Sequence, residues 1–237
     1  MNDIESLLDN ASNTNIHNSP YQFNNHKVPR TTAILSKCIH NDSIVYWANS
    51  LGFKHQSYKK TLDAAANIGT RCHENIDMYL SDNNHVAQDN MPEESINAYN
   101  SFLKWFSKIN ELAQVEIIFH EKTLSCKYFG GTLDGLYKIN NRYFLVDYKT
   151  SNHISYNYYL QLSAYRYMLR TQLGIEVDGC IILQLSKTEC AYNEYVLDFS
   201  NPIHLDFINK CEHTFLSLTY AYDNLMILEK QYNSLQY

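Results

Sequence analysis

The amino-acid sequence predicts an α/β fold in which helices flank a central mixed β-sheet. Three observations predict it. Apolar residues recur at helical spacing up to about residue 113, then give way to strand-like runs. Two of those runs, Phe129 to Ile139 and Arg142 to Thr150, meet at Asn140-Asn141, a dipeptide suited to a tight hairpin turn. A helical segment, two more strands and a long helix follow, so the order is helices, three strands, helix, two strands, helix.

The elements follow in order. Residues 1–27 are rich in Asn and Ser with little periodicity, which predicts a flexible tail. Pro29 keeps Val28 extended, and Thr31 or Thr32 is placed to cap a helix through Ile34, Leu35 and Cys38. Asp42 or Ser43 is placed to cap a second, with Ile44, Trp47 and Ala48 inward. Leu62 to Leu80 reads as a longer helix with Ile76 and Leu80 on one side. Pro92 with Glu93 and Glu94 marks another helix start, continued by Ile96, Leu103, Phe106 and Ile109. Val115 to His120 reads as the first long strand. Tyr143-Phe144-Leu145-Val146 is almost continuously apolar, as expected of a strand buried on both faces. Ile154 to Leu173 is helical and ends at Gly174; strands Asp178 to Ser186 and Tyr192 to Phe199 precede a closing helix, Ile203 to Gln231. This organises residues 28–237 as a single domain: a helical part (28–113), an αβ core (114–200) and a C-terminal helix (201–237).

Hydrophobic residues make up 45% of the 237, enough for a sizeable core. No apolar run approaches a membrane span and the N-terminus lacks a signal-peptide layout, so a soluble intracellular protein with no membrane partner is expected. The six cysteines form no CxxC pair, which predicts reduced thiols and neither a zinc finger nor an iron–sulfur cluster. A net charge of −6 argues against a broad basic nucleic-acid face but permits an enzyme that grips a few phosphates in one groove.

The chemistry concentrates between Gly131 and Ser151. Asp147 and Lys149 are two apart on one strand and share a face. Closing the Asn140-Asn141 hairpin brings Asp134 near Asp147 on the neighbouring strand. An isolated Asp-x-Lys is more often a surface salt bridge. Here the pair ends an apolar strand and a second aspartate faces it, and two close carboxylates repel unless a cation lies between them. Gly130, Gly131 and Gly135 are expected to leave room for a phosphate backbone. His73, Glu116, Gln161 and Tyr165 are further candidates whose ordinary roles would be helix packing or an edge charge. Arg71, Arg166 and Lys54 are candidate phosphate contacts by charge alone.

The runs Gly131-Thr-Leu-Asp134, Val146-Asp147-Tyr148-Lys149-Thr150-Ser151 and Gln161-Leu-Ser-Ala-Tyr165 resemble the RecB-like branch of the PD-(D/E)XK nucleases. Upstream, Val28-Pro-Arg-Thr-Thr, Trp47-Ala and Gly69-x-x-x-His73 are similar to the amino-terminal part of phage exonucleases in that branch and of the mitochondrial genome maintenance exonuclease. The resemblance spans roughly residues 28 to 200 and implies a restriction-endonuclease-like core. It implies that Asp134 and Asp147 bind metal, that Lys149 is the catalytic lysine, and that His73 and the Tyr148 carbonyl add ligands. Gln161 and Tyr165, with Thr150, Ser151 and Arg71, would support the site or contact DNA, and Glu116 matches a frequent acidic position on the first core strand. The chain departs from the pattern at Leu133, where the superfamily name places proline, and at Arg30, where serine is common; the cysteines that hold an iron–sulfur cluster in some relatives are missing. The implied function is a Mg²⁺-dependent DNA exonuclease, with Mn²⁺ as a substitute, acting on single strands or ends beside replication or recombination proteins. A flap or structure-specific endonuclease and a non-catalytic nucleic-acid-binding module are the alternatives.

Overall fold

The computed structural model describes residue 8 and residues 19–40, 42–82 and 91–235. A small hairpin, β1 (Gln22–Phe23) and β2 (His26–Lys27), precedes four helices: α1 (Thr31–Cys38), α2 (Asp42–Phe53), α3 (Tyr58–Ser81) and α4 (Glu93–Leu112). Strands β3 (Val115–Ser125), β4 (Gly130–Ile139) and β5 (Arg142–Lys149) follow, then α5 (Tyr156–Leu173), β6 (Gly179–Leu185), β7 (Tyr192–Asp198) and α6 (Pro202–Leu235). The five long strands form one sheet in the order β3-β4-β5-β6-β7. It is mixed because β5 and β6 run parallel, joined across α5, while the other neighbours are antiparallel.

The expected hairpin forms. Asn140 and Asn141 take φ of 47° and 67°, the left-handed pair that matches strand twist, and Ile139 faces Arg142. Strand β5 is central and splits its side chains between two cores. Leu145 joins Ile34, Met168, Phe215 and Leu216 beneath α1, α5 and α6. Phe144 and Val146 join Ile76, Phe102 and Trp105 beneath α3 and α4. Helix α5 starts at Ser155, whose side chain accepts from the Asn157 amide, and stops at left-handed Gly174. Cys72, Cys126, Cys180 and Cys211 are buried and all six thiols are free.

Several expectations need correction. Neither Thr31 nor Thr32 caps α1: Arg30 holds the cap position without a side-chain bond, and the Thr31 hydroxyl donates to the Gly130 carbonyl at 3.0 Å. That tie to β4 uses the oxygen a cap would need. On α2, Ile44 and Trp47 are exposed and only Leu51 is buried among the residues whose burial is described. The helix is peripheral and meets α3 through an edge contact of Trp47 on Tyr58. On α4 the fully buried stripe is Ala98, Tyr99, Phe102 and Trp105, with Leu103, Phe106 and Ile109 at its margin. The Trp105 indole sets that rotation: it stacks on Tyr137 and donates to Glu194 at 2.6 Å. The part of the expected tail that lies within the described residues packs on the sheet. Tyr21 meets Thr132 at 3.1 Å, Ser125 donates to the Gln22 carbonyl, and Leu8 is buried. Residues 1–7 and 9–18 lie outside the described residues.

Candidate metal centre

Asp134 and Asp147 fall opposite each other on β4 and β5, one step beyond the Gly135–Val146 pair. Asp134 Oδ2 accepts the Tyr148 amide at 2.8 Å, which anchors one side of its carboxylate. Asp147 and Lys149 alternate with inward Val146 and Tyr148, so both emerge on the other face of β5. There the Lys149 ammonium sits 2.8 and 2.7 Å from the two Asp147 oxygens. Asp147 Oδ2 has close charge contact but no well-aligned hydrogen bond. The ammonium also lies 4.8 Å over the Tyr158 ring.

Helix α3 brings His73 to the same mouth. Its Nε2 lies 3.1 Å from the Tyr148 carbonyl, and since a carbonyl only accepts, Nε2 carries the proton. The other nitrogen, Nδ1, faces Asp134 Oδ1 at 3.5 Å and Glu121 Oε1 at 3.6 Å. A neutral imidazole anchored this way would aim a lone pair at two carboxylates, so a positive species belongs between them: a proton on Nδ1 or a metal ion. The separations exceed the 2.7–2.9 Å typical of a charge-assisted hydrogen bond. They match two ligand atoms each about 2.1 Å from a shared ion, which sit roughly 3 to 4 Å apart. His73, Glu121 and Asp134 each offer an atom, all within 4.8 Å of one another, and this cluster could hold a metal ion.

The electrostatics agree. Burial alone would lower the His73 pKa, but the charge of Asp134 above all, with Glu121, outweighs it and holds it at about 10. Burial likewise opposes ionisation of Asp134, yet His73, Lys149 and the Tyr148 amide carry its pKa below the ordinary value. Asp147 moves the other way: burial raises it, Asp134 adds to the rise, and Lys149 only partly compensates. Burial lowers and the two aspartates more than restore the Lys149 pKa, which ends above the usual value. The two aspartates are therefore pushed apart, one held as an anion and one resisting ionisation.

Glu121 was not read from the sequence; Glu116 was, and the structure does not bring Glu116 to the cluster. Strand β3 runs antiparallel to β4, so Glu116 pairs with Lys138 near the hairpin turn, at the far end. Glu121 falls opposite Asp134, between the pairs His120–Gly135 and Lys122–Leu133, with its backbone at φ 44°. The strand extends to Ser125, five residues past its expected end at His120, and so carries Glu121 into the sheet. Asp77, four residues after His73 and so on the same side of α3, was also missed; it holds His120 at 2.6 Å. Gly69, His73, Glu74, Asp77, Glu121 and Asp134 line a cavity of about 440 Å³.

The remaining expected residues separate into groups. The Tyr148 carbonyl accepts the His73 Nε2 proton and so orients the ring. Gln161 donates to the Tyr165 hydroxyl at 2.9 Å. The Tyr165 ring occupies the space a Cβ at Gly131 would need, Tyr21 does so at Gly130, and Tyr137 and Tyr148 close over Gly135. These glycines thus admit tyrosine rings, correcting the expectation of space for a phosphate backbone. Ser151 is tied to β6 through Gln184, and Thr150 sits beside Gly69. Arg71 pairs with Glu74 on the helix surface. Arg166 is buried against Glu212 and Asn209, which removes it as a phosphate contact.

Among the described residues, no helix is long and apolar enough to cross a membrane. No family model matches the chain, and no curated protein matches it. Among matching solved structures is one titled "Crystal structure of SSO0001", 13% identical, with a TM-score of 0.36 over 94% of this chain and 85% of that one.

Proposed function

We propose that the chain is a metal-dependent deoxyribonuclease that hydrolyses phosphodiester bonds of single-stranded DNA or DNA ends. The observation that carries this reading is the pairing of an ion-competent cluster, His73, Glu121 and Asp134, with the buried Asp147–Lys149 pair at one sheet mouth. Carboxylate oxygens suit Mg²⁺, with Mn²⁺ as a substitute. His73, Glu121 and Asp134 would hold the ion; bound there, it would polarise a phosphoryl oxygen and acidify a water. Lys149, aligned by Asp147 and the Tyr158 ring, would neutralise charge developing on the phosphate. Asp147, resisting full ionisation, is suited to accept and return a proton near Lys149. Preference for DNA, and for its ends, comes from the sequence resemblance.

The test is degradation of end-labelled DNA in Mg²⁺ by the wild type and by Lys149→Ala and Asp147→Asn. Loss of product with either variant is expected, and wild-type rates in both would overturn the mechanism. A covalently closed single-stranded circle should survive an exonuclease; its cleavage would assign an endonuclease instead.

A further inference from the structure

Helix α2 is unusual in what it exposes. Tyr46 and Phe53 are 76% and 81% exposed and seven residues apart, so they stand on one side of the helix about 10 Å from each other. Trp47, seated edge-on against Tyr58, lies between them along the chain. The adjoining turn and first turn of α3 supply Lys54, Lys59 and Lys60, all exposed. None of the three makes an ion pair among the described residues, and from Ile44 to Ala66 the sequence offers only Asp63 as a carboxylate. In a chain of net charge −6 this is a local cationic and aromatic surface.

At the other end of α2, Ile44 and Val45 join Leu35, Ile39, Tyr158 and Gln161 around a cavity of about 450 Å³. Tyr158 is the ring beneath the Lys149 ammonium. The cavity thus shares Tyr158 with Lys149, and Ile44 and Val45 of α2 form its opposite lining.

We infer that the exposed side of α2 and the adjoining turn, Tyr46, Phe53, Lys54, Lys59 and Lys60, is a docking surface for single-stranded nucleic acid, from which the strand passes around the helix by Val45 to the cavity that shares Tyr158 with Lys149. The inference deepens the nuclease reading and rests on it for direction. Unpaired ammonium groups beside open aromatic rings suit a strand that offers phosphates and unstacked bases together. A duplex hides its base faces from such rings. A second copy of this acidic chain would bury the apolar helix while leaving three cations at its edge.

Binding of a labelled thymidine strand of about 20 nucleotides is measured by anisotropy with chelator present, so that cleavage does not enter. The whole chain is used, with K54E/K59E/K60E and, separately, Y46A/F53A, all at exposed positions. The charge variant should bind at least about tenfold more weakly, with a salt slope shallower by about 2. The aromatic variant should bind about tenfold more weakly at an unchanged slope. Wild-type affinity in either variant, absence of binding by the wild type, equal affinity for a duplex, or a dimer that these changes dissociate would overturn the inference. Binding through this face by a protein that does not degrade DNA in Mg²⁺ would sink the nuclease reading alone. Degradation with both variants binding normally would sink the docking surface alone.

Discussion

Two clusters of buried charge flank α5, and they are built in opposite ways. Between α5 and α6, Arg166 and Arg170 hold the two oxygens of buried Glu212 at 3.2 and 2.6 Å. The surplus positive charge is spread onto Asn209 at 2.9 Å and onto the faces of Phe199 and Tyr167. At the sheet mouth, Asp134, Asp147 and Glu121 face Lys149 and a single histidine, and Asp147 keeps an oxygen without a well-aligned hydrogen bond. The first cluster covers both oxygens of its one acid with arginines and ties two helices together, although Arg166 Nε, like Asp147 Oδ2, has no hydrogen-bond partner. The second is carboxylate-rich and is completed by a proton or an ion from outside. Buried charge by itself does not mark function; what distinguishes the sheet mouth is two acids, Glu121 and Asp134, whose oxygens gather beside a histidine in a cluster that could hold a metal ion.

The sharpest way to separate the two clusters is to change each and compare activity with stability. Lys149→Ala should lower DNA hydrolysis at least about a thousandfold, roughly 4 kcal/mol of transition-state stabilisation, with a cooperative unfolding transition retained. Single-turnover degradation beside a thermal melt checks this. Glu212→Ala should do the reverse. It strands two guanidiniums and should cost about 3 kcal/mol in urea unfolding while folded protein keeps its specific activity.

An added ion should stabilise one cluster and leave the other unchanged. Mg²⁺ or Mn²⁺ at a hundredfold excess over its Kd should add about 2.7 kcal/mol, and the gain should vanish in His73→Ala. His73 has its pKa raised to about 10, so its protonated form stabilises the ion-free protein at low pH, a contribution lost as pH rises through that value. An ion must displace that proton. Its affinity, followed by the shift in melting temperature, should therefore fall as pH drops from 9 to 6, and a pH-independent affinity would remove His73 from the ligand set.

The smallest effect belongs to a surface pair that serves as a reference. Hydrogen bonds from Arg142, then from Ser200, hold the Asp198 carboxyl well below the ordinary range. A depressed folded pKa contributes stability above the unfolded value of about 4 and loses it as pH falls through the lower folded value. The melting temperature of Asp198→Asn should therefore trail the wild type slightly at pH 6 and converge with it toward pH 2.

The sequence by itself determined what local periodicity and turn chemistry control. Side chains alternate along a strand, so Asp147 and Lys149 had to share a face once Tyr143 to Val146 was read as a strand. Asn140-Asn141 had to close a hairpin because both residues tolerate positive φ, and that closure set Asp134 against Asp147. Tertiary structure decided what depends on register and on contacts distant in sequence. Which acid of β3 meets Asp134 depends on where that strand ends, and the longer strand selects Glu121 over Glu116. His73 reaches the mouth because α3 packs across the sheet and its ring finds the Tyr148 carbonyl, a partner 75 residues away. Amphipathic spacing could not say that Ile44 and Trp47 stay largely uncovered, since it marks an apolar side without naming what covers it.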